Sequence, residues 1–221
     1  MKKGIEAIIF DADGVIFDSE KLWDVGDAEF MAKRGVPGLS SEVKAKLAGT
    51  SLLDGTALLL DSYQIKEDVH TAAKERIGIM EKKYANELEF MEGFKEFLDF
   101  AQGRLQTAVA TSMSKHLFPL LDKNIGFLKM FGGHVYSVNE VPHAKPAPDI
   151  YLYAAKQIDV APEKCVVIED APNGILAAKS AGMYCIGFAS TFPPDLLNKA
   201  DIVFQTFDEI SGFIENKLNA L

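Results

Sequence analysis

Five short apolar runs punctuate the chain: AIIF (7–10), TAVA (107–110), VVIE (166–169), YCIGFA (184–189) and DIVF (201–204). Each is bounded by Gly, Pro or polar residues, the mark of a buried strand. From residue 93 onward they alternate with helical patterns. Phe94, Phe97, Leu98 and Ala101 fall at the i, i+3, i+4 spacings of an amphipathic helix, and so do Ile150, Tyr153, Ala154 and Ile158. Alternating strands and helices predict an α/β fold with a parallel sheet covered on both faces.

Residues 19–90 break this alternation. They carry no convincing strand signal and read as all helix, with Leu22, Trp23, Gly26 and Phe30 on one face and Val69, Ala73, Arg76, Ile77, Met80 and Tyr84 on another. RGVPGLSSEV (34–43) is a break followed by a serine N-cap. The expected organisation is an α/β core of 1–18 and 91–221, with a helical domain of 19–90 inserted after the first strand. The crossings near Asp18 and FMEGF (90–94) are natural hinges.

With 221 residues, 48% of them hydrophobic, the chain can bury a core of this size. Its net charge of -9 argues against nucleic acid or anionic membrane as a partner, since both want a basic face. No stretch approaches a membrane span, and the apolar run in MKKGIEAIIFD, broken by Glu6 and Asp11, is too short for a signal peptide. Cys165 and Cys185 are too few for a disulfide framework and sit in apolar runs, which suits a reducing compartment. The expectation is a soluble, cytoplasmic monomer.

The first strand runs directly into Asp11, Ala12, Asp13 and Gly14. Bare charge at the end of a buried strand is costly, so these carboxylates call for a counter-charge. At i and i+2 on an extended backbone both point the same way, and Gly14 lets the chain turn sharply. In an open parallel sheet this is where ligands bind. Glu169 and Asp170 end CVVIEDAPNG in the same manner. If the two strands are neighbours, Asp11 and Asp170 can offer oxygen ligands to one ion, and hard oxygen ligands without a nearby His or Cys pair favour Mg²⁺. Either acidic pair alone also matches a solvated strand end; both together weaken that alternative.

AVATSMSKH (108–116) carries a strand into Thr111, Ser112 and Ser114, where hydroxyls and backbone amides suit a phosphate or simply cap a helix. Lys145, the only cation in PHAKPAPDIY (142–151), sits in a loop stiffened by Pro142, Pro146 and Pro148. It is either a point charge placed for phosphate or an ordinary surface lysine. Asn173 and Gly174 read as a turn that starts a helix, Asp18 and Ser19 as caps, and Trp23 as packing between the domains or a substrate wall.

Taken in order, DADGVIFDSE, ATS, KPAPDIY and VVIEDAPNGILAAKSAGM resemble the nucleophile, hydroxyl, lysine and acidic motifs of the haloacid dehalogenase (HAD) superfamily of phosphotransferases. The wording is most similar to the subgroup holding β-phosphoglucomutases and small sugar-phosphate phosphatases, and the resemblance spans almost the whole chain. It implies a Rossmann-like parallel-sheet core and an all-helical cap that closes over the site, selecting substrate through residues 49–56 and the first cap helix. It implies Asp11 as nucleophile, forming an aspartyl-phosphate, and Asp13 as general acid and base. Mg²⁺ would be held by Asp11, the backbone carbonyl of Asp13 and Asp170, with Glu169 also at the metal site. Ser112, Met113 and Lys145 would grip the substrate phosphate.

Dehalogenases lack an acid two residues beyond the nucleophile, so Asp13 favours phosphoryl transfer. A β-phosphoglucomutase must hold a second phosphate on a cationic cap residue, and its cap loop resembles G-x-S-R. Here AGTSLLDG (48–55) places Leu52 at that arginine, and Trp23 stands where such mutases carry a histidine. DSEKLW (18–23) is instead similar to the DSEPLW of hexose-phosphate phosphatases, with Lys21 for Pro. In the lysine motif Ala144 replaces a common glycine, which leaves the role of Lys145 intact. The expected function is a Mg²⁺-dependent phosphatase acting on a small phosphorylated metabolite, a sugar phosphate. A phosphosugar mutase is the alternative, and a catalytically silent binding protein on the same fold is the third reading.

Overall fold

The structure, a computed structural model, describes residues 4–47, 50 and 52–219. It divides into two compact units, Met1–Asp18 with Glu89–Leu221, and Ser19–Leu88. Glu89 and Phe90, which the sequence reading gives to the insert, belong to the first unit. The Asp18 N–H donates to the Glu89 carbonyl at 3.0 Å, and Phe17 and Phe90 form an isolated bridge with their rings 5.4 Å apart.

The inserted unit holds α1 (Glu20–Ala32), α2 (Ser41–Leu47), α3 (Leu52–Ser62) and α4 (Val69–Glu87), with no strand among its described residues. Ser40 caps α2 by accepting the Val43 N–H at 3.3 Å, and Asp68 caps α4 by accepting that of Thr71 at 2.9 Å. Ser19 stands at the N-cap of α1, but its side chain makes no cap bond. Phe30, Met31, Val43, Leu59, Leu60, Ala72 and Ile79 form the core of this unit. A side chain at Gly26 would overlap the Met80 sulfur, so this glycine sets how closely α1 approaches α4. The buried face of α4 runs through Arg76, Ile79 and Lys83, with Ile77 only half-buried. Its centre is Arg76, whose Nε and Nη2 donate to Asp27 Oδ1 and Oδ2 at 2.6 and 2.8 Å. Arg76 Nη1 reaches the Leu52 carbonyl and the Thr56 hydroxyl at 3.4 Å each, and its guanidinium lies 5.1 Å from the centre of the half-buried Trp23 ring. Of the expected substrate-selecting stretch, Gly49 and Ser51 lie outside the described residues.

The other unit carries β1 (Ala7–Phe10), β2 (Gln106–Thr111), β3 (Val135–Ser137), β4 (Cys165–Glu169), β5 (Tyr184–Phe188) and β6 (Ile202–Phe204), all parallel, in the order β3-β2-β1-β4-β5-β6. Its helices are α5 (Phe94–Gln102), α6 (Phe118–Ile125), α7 (Phe127–Met130), α8 (Asp149–Gln157), α9 (Pro172–Ser180) and α10 (Phe207–Asn219). β3 is absent from the five runs read in the sequence. It has three residues, too few to show a pattern, and owes its conformation to pairing with β2.

β1 is buried on both faces, as a central parallel strand requires. Ala7 and Ile9 join a cluster with Ile150, Tyr151 and Ala154 of α8 and Ile175 and Ala178 of α9. Phe10 turns the other way, its ring 5.7, 5.9 and 5.8 Å from those of Phe94, Phe97 and Phe131. Each such buried side chain is worth about 1.5–3 kcal/mol, which makes the end of β1 a rigid platform. Among the described residues no helix is long and apolar enough to cross a membrane.

Candidate active site

Asp11 is the first residue beyond β1, and its N–H donates to the Ile168 carbonyl of β4 at 3.0 Å. Phe10 is in register with Ile168, so the two strands end side by side and deliver Asp11 next to Glu169 and Asp170. β2, the neighbour on the other side, ends at Thr111. The carboxyl ends of three adjacent strands therefore converge, at the point where the order reverses from β1–β2 to β1–β4.

Lys145 reaches this convergence from the segment between β3 and α8. Its Nζ lies 2.5 Å from Asp11 Oδ1 and 2.8 Å from Glu169 Oε1, with the lysine side chain 7% exposed. It is a buried cation between two carboxylates, not a surface lysine. Burial disfavours its charge, but Asp11 and Glu169 outweigh that and hold the ammonium above its ordinary pKa. Burial pushes Asp11 up to about 7; Lys145 opposes the shift, while Glu169 and Asp13 add to it. Burial, then Glu169 and Asp11, lift Asp170 well above the carboxylate range, against a hydrogen bond from Thr191.

Asp13 is half-buried. β1 stops at Phe10, and the chain turns at once, with the N–H groups of Ile16 and Phe17 both on the Ala12 carbonyl at 2.9 and 3.0 Å. The Asp13 charge bears on Asp11 and adds to its upward shift. Gly14, at φ +73°, makes that turn possible, and any side chain there would overlap the Asp170 carboxylate and Thr191 Oγ1.

Two expected site residues have protein partners of their own. Glu169, read as a metal-site residue, has both oxygens engaged by the protein: Oε1 accepts from Lys145 and from Tyr151 Oη at 3.1 Å, and Oε2 accepts the Ala171 N–H at 2.8 Å. It serves as the second counter-ion of Lys145. Met113, read as a phosphate ligand, donates its N–H to Thr111 Oγ1 at 2.9 Å, while its carbonyl accepts Ser137 Oγ at 2.7 Å and its side chain is buried. That amide is spent on the turn, and the exposed Ser112 is the group that this strand end presents.

Among the described residues no three His, Cys, Asp or Glu side chains form a ready-made metal cluster. Mg²⁺ does not need one, because it binds through one or two carboxylates and keeps several waters. Asp11 and Asp170 are two such carboxylates, the Asp13 carbonyl is a third hard oxygen, and Gly14, lacking a side chain, lets the Asp170 carboxylate pack directly against this turn. Three carboxylates less than one-tenth exposed, Asp11, Glu169 and Asp170, face the single ammonium of Lys145. The donor chemistry and the charge imbalance both fit a divalent cation.

Sequence reasoning missed Tyr151, the pair Ser190 and Thr191, and the closeness of Gly174, read only as starting a helix, to Glu169. A Cβ at Gly174 would overlap the Glu169 carboxylate, so this position gives Glu169 its room. Ser190 Oγ donates to the Gly14 carbonyl at 2.6 Å, beside the Thr191 bond to Asp170. Hydroxyls directly after the β5 run are the same signal that singled out Thr111 and Ser112, and could have been read. Tyr151 had no such signal, since its role depends on which strand lies beside α8.

A family model described as haloacid dehalogenase-like hydrolase matches residues 5–182. The chain is 32% identical over 181 residues to a phosphorylated carbohydrates phosphatase of Thermotoga maritima, covering 81% of this chain and 82% of that one. It is 30% identical over 178 residues to the fructose-1-phosphate phosphatase YqaB of Escherichia coli, covering 80% and 92%. Among solved structures it is similar to a β-phosphoglucomutase of Clostridium difficile, with a TM-score of 0.76, 25% identity and 98% of each chain covered.

Proposed function

The chain belongs to the haloacid dehalogenase-like hydrolases, in the β-phosphoglucomutase-like subgroup, and from that premise we propose that it hydrolyses a sugar phosphate through an aspartyl-phosphate on Asp11, with Mg²⁺ in the site. Hydrolysis of phosphoric monoesters is the activity its relatives are named for, and the chain is an enzyme of that kind. The observation that carries the finer reading is the contact of Asp11, just past β1, with the buried ammonium of Lys145, beside Asp170, just past the neighbouring strand β4.

On this reading an Asp11 carboxylate oxygen attacks phosphorus while Asp13 gives its proton to the leaving sugar oxygen. Asp13 then takes a proton from water as that water attacks the acyl phosphate, releasing inorganic phosphate and restoring Asp11. Ser112 and Lys145 hold the phosphoryl oxygens throughout. When bound by Asp11, Asp170 and the Asp13 carbonyl, Mg²⁺ supplies positive charge against the carboxylates and the phosphate. The helical unit is assigned the choice of sugar. Both cysteines are free and buried, which supports a reducing, cytoplasmic setting.

A phosphatase is favoured over a mutase by the inserted unit. Leu52 stands at the arginine of the mutase cap loop, and Arg76, a buried cation of that unit, is committed to Asp27 by two hydrogen bonds. The test is phosphate release with Mg²⁺ from a panel of sugar phosphates, phosphoglycolate and nucleotides. It runs beside a coupled assay for glucose 6-phosphate formed from β-glucose 1-phosphate and a bisphosphate primer. Release that chelator abolishes and Mg²⁺ restores is the expected result; isomerisation without release would replace phosphatase by mutase.

A further inference from the structure

Lys145 and Glu169 both touch a residue that the phosphoryl-transfer scheme leaves unused. Tyr151, on the first turn of α8, is completely buried. Its hydroxyl donates to Glu169 Oε1 at 3.1 Å, the same oxygen that accepts Lys145 Nζ at 2.8 Å. The face of its ring lies against that ammonium, with Nζ 4.8 Å from the ring centre. One side chain therefore touches both members of the ion pair, the anion through its hydroxyl and the cation through its π face.

We propose that Tyr151 is a positioning residue for Lys145, setting how the lysine charge is divided between Glu169 and the phosphoryl-binding side at Asp11. The assignment rests on the reading of Lys145 as a phosphate ligand. Glu169 Oε1 shares its negative charge between two donors. Without the tyrosine hydroxyl, the ammonium is the one donor left on that oxygen, and the carboxylate becomes a stronger acceptor for it. Glu169 cannot move off to compensate, because Oε2 is tied to the Ala171 N–H and α9 passes so close that only glycine fits at 174. The ammonium must then lean toward Glu169 and away from Asp11, where a phosphoryl oxygen is to be bound. The ring completes the arrangement by walling off the α8 side, so that Lys145 has one direction in which to offer its third N–H.

A tyrosine that is merely packed, with its hydroxyl satisfied by a convenient carboxylate, would show none of this coupling. The experiment compares Y151F, E169Q, the double variant and K145A by hydrolysis of p-nitrophenyl phosphate and by competitive inhibition with inorganic phosphate. Y151F should raise the inhibition constant and lower kcat/KM by about tenfold each, the scale of one hydrogen bond to a charged group, with its melting temperature close to wild type. In the E169Q background the same change should have less than about a twofold effect, because its route through Glu169 is already cut. The proposal is overturned if Y151F leaves the inhibition constant unchanged, or if it costs the same in both backgrounds. K145A separates the two layers. If that variant loses phosphate inhibition while Y151F retains it, the tyrosine assignment alone is wrong; if K145A itself retains inhibition, the lysine reading fails and the tyrosine proposal fails with it.

Discussion

Lys145 Nζ lies closer to Asp11 Oδ1, at 2.5 Å, than to Glu169 Oε1, at 2.8 Å. The buried cation thus leans on the carboxylate assigned to attack phosphorus and uses Glu169 as its anchor. An ammonium has three N–H donors, and these two contacts leave one for a phosphoryl oxygen. Charge balance at the strand ends is what the site is built around, and the consequences can be measured residue by residue.

Asp11→Asn keeps the shape of the side chain and removes its charge. Phosphate release should fall by about 10³-fold or more, the scale of losing a group that acts as part of a catalytic unit. The fold should survive with little change in melting temperature, because burial already pushes this carboxyl up to about 7 and its ionised form contributes little to stability. Near-normal turnover by a folded variant would remove Asp11 from the nucleophile role.

Protons and Mg²⁺ should compete for the same carboxylates. Asp11 is lifted from 3.8 to about 7 and Asp170 is lifted in the same direction, so in this window the folded protein holds protons that the unfolded chain has lost. Stability of the metal-free protein should therefore fall as pH rises from near 4 through 7. Added Mg²⁺ must displace those protons, and its stabilising effect should grow over the same interval. Thermal melts with and without Mg²⁺ at pH 5.5 and 8 check this; an equal shift at both would separate the metal from Asp11 and Asp170.

The sheet and the acidic strand ends were legible in the sequence for a physical reason. Runs such as AIIF (7–10) and CVVI (165–168) are buried on both faces and so carry no charge, and the carboxylates that follow them stand out. β3 was not legible, because three residues held by a neighbouring strand leave no periodic trace. The charge of Asp11, Lys145 and Asp170 could be read; the surroundings of that charge could not. That Glu169 turns to Lys145, that Met113 spends its amide on Thr111, and that Tyr151 lies under the pair all depend on strand order, which local pattern does not encode. In the helical unit the periodicity placed Ile77 inside and left Lys83 out, because Lys83 is buried where it pairs with Glu29 of α1, far away in sequence.

Gly174→Ala tests the room left for Glu169. The new methyl would overlap the Glu169 carboxylate, whose retreat would break the bonds to Lys145, Tyr151 and the Ala171 N–H together. A loss of about 1–3 kcal/mol of stability is expected from overpacking, accompanied by a drop in kcat/KM comparable to that of E169Q. An alanine variant with wild-type stability and activity would mean that α9 yields freely and that Glu169 is not held where it stands.

Asp27 and Arg76 form a bidentate pair in which each side chain is 5% exposed. Either partner alone would be an uncompensated buried charge, so Asp27→Ala or Arg76→Met should each destabilise the protein by about 3–5 kcal/mol. Replacing both, with Asp27→Leu and Arg76→Met, should recover most of that loss, because an apolar pair of similar volume avoids desolvating two ions. Arg76 also meets the Leu52 carbonyl and the Thr56 hydroxyl at the start of α3. The recovered double variant should therefore regain its melting temperature but not the wild-type discrimination among sugar phosphates, if α3 helps to choose the substrate. Chemical denaturation of the four proteins, followed by kcat/KM on two sugar phosphates, measures both parts; equal losses in single and double variants would show that the pair is not a coupled unit.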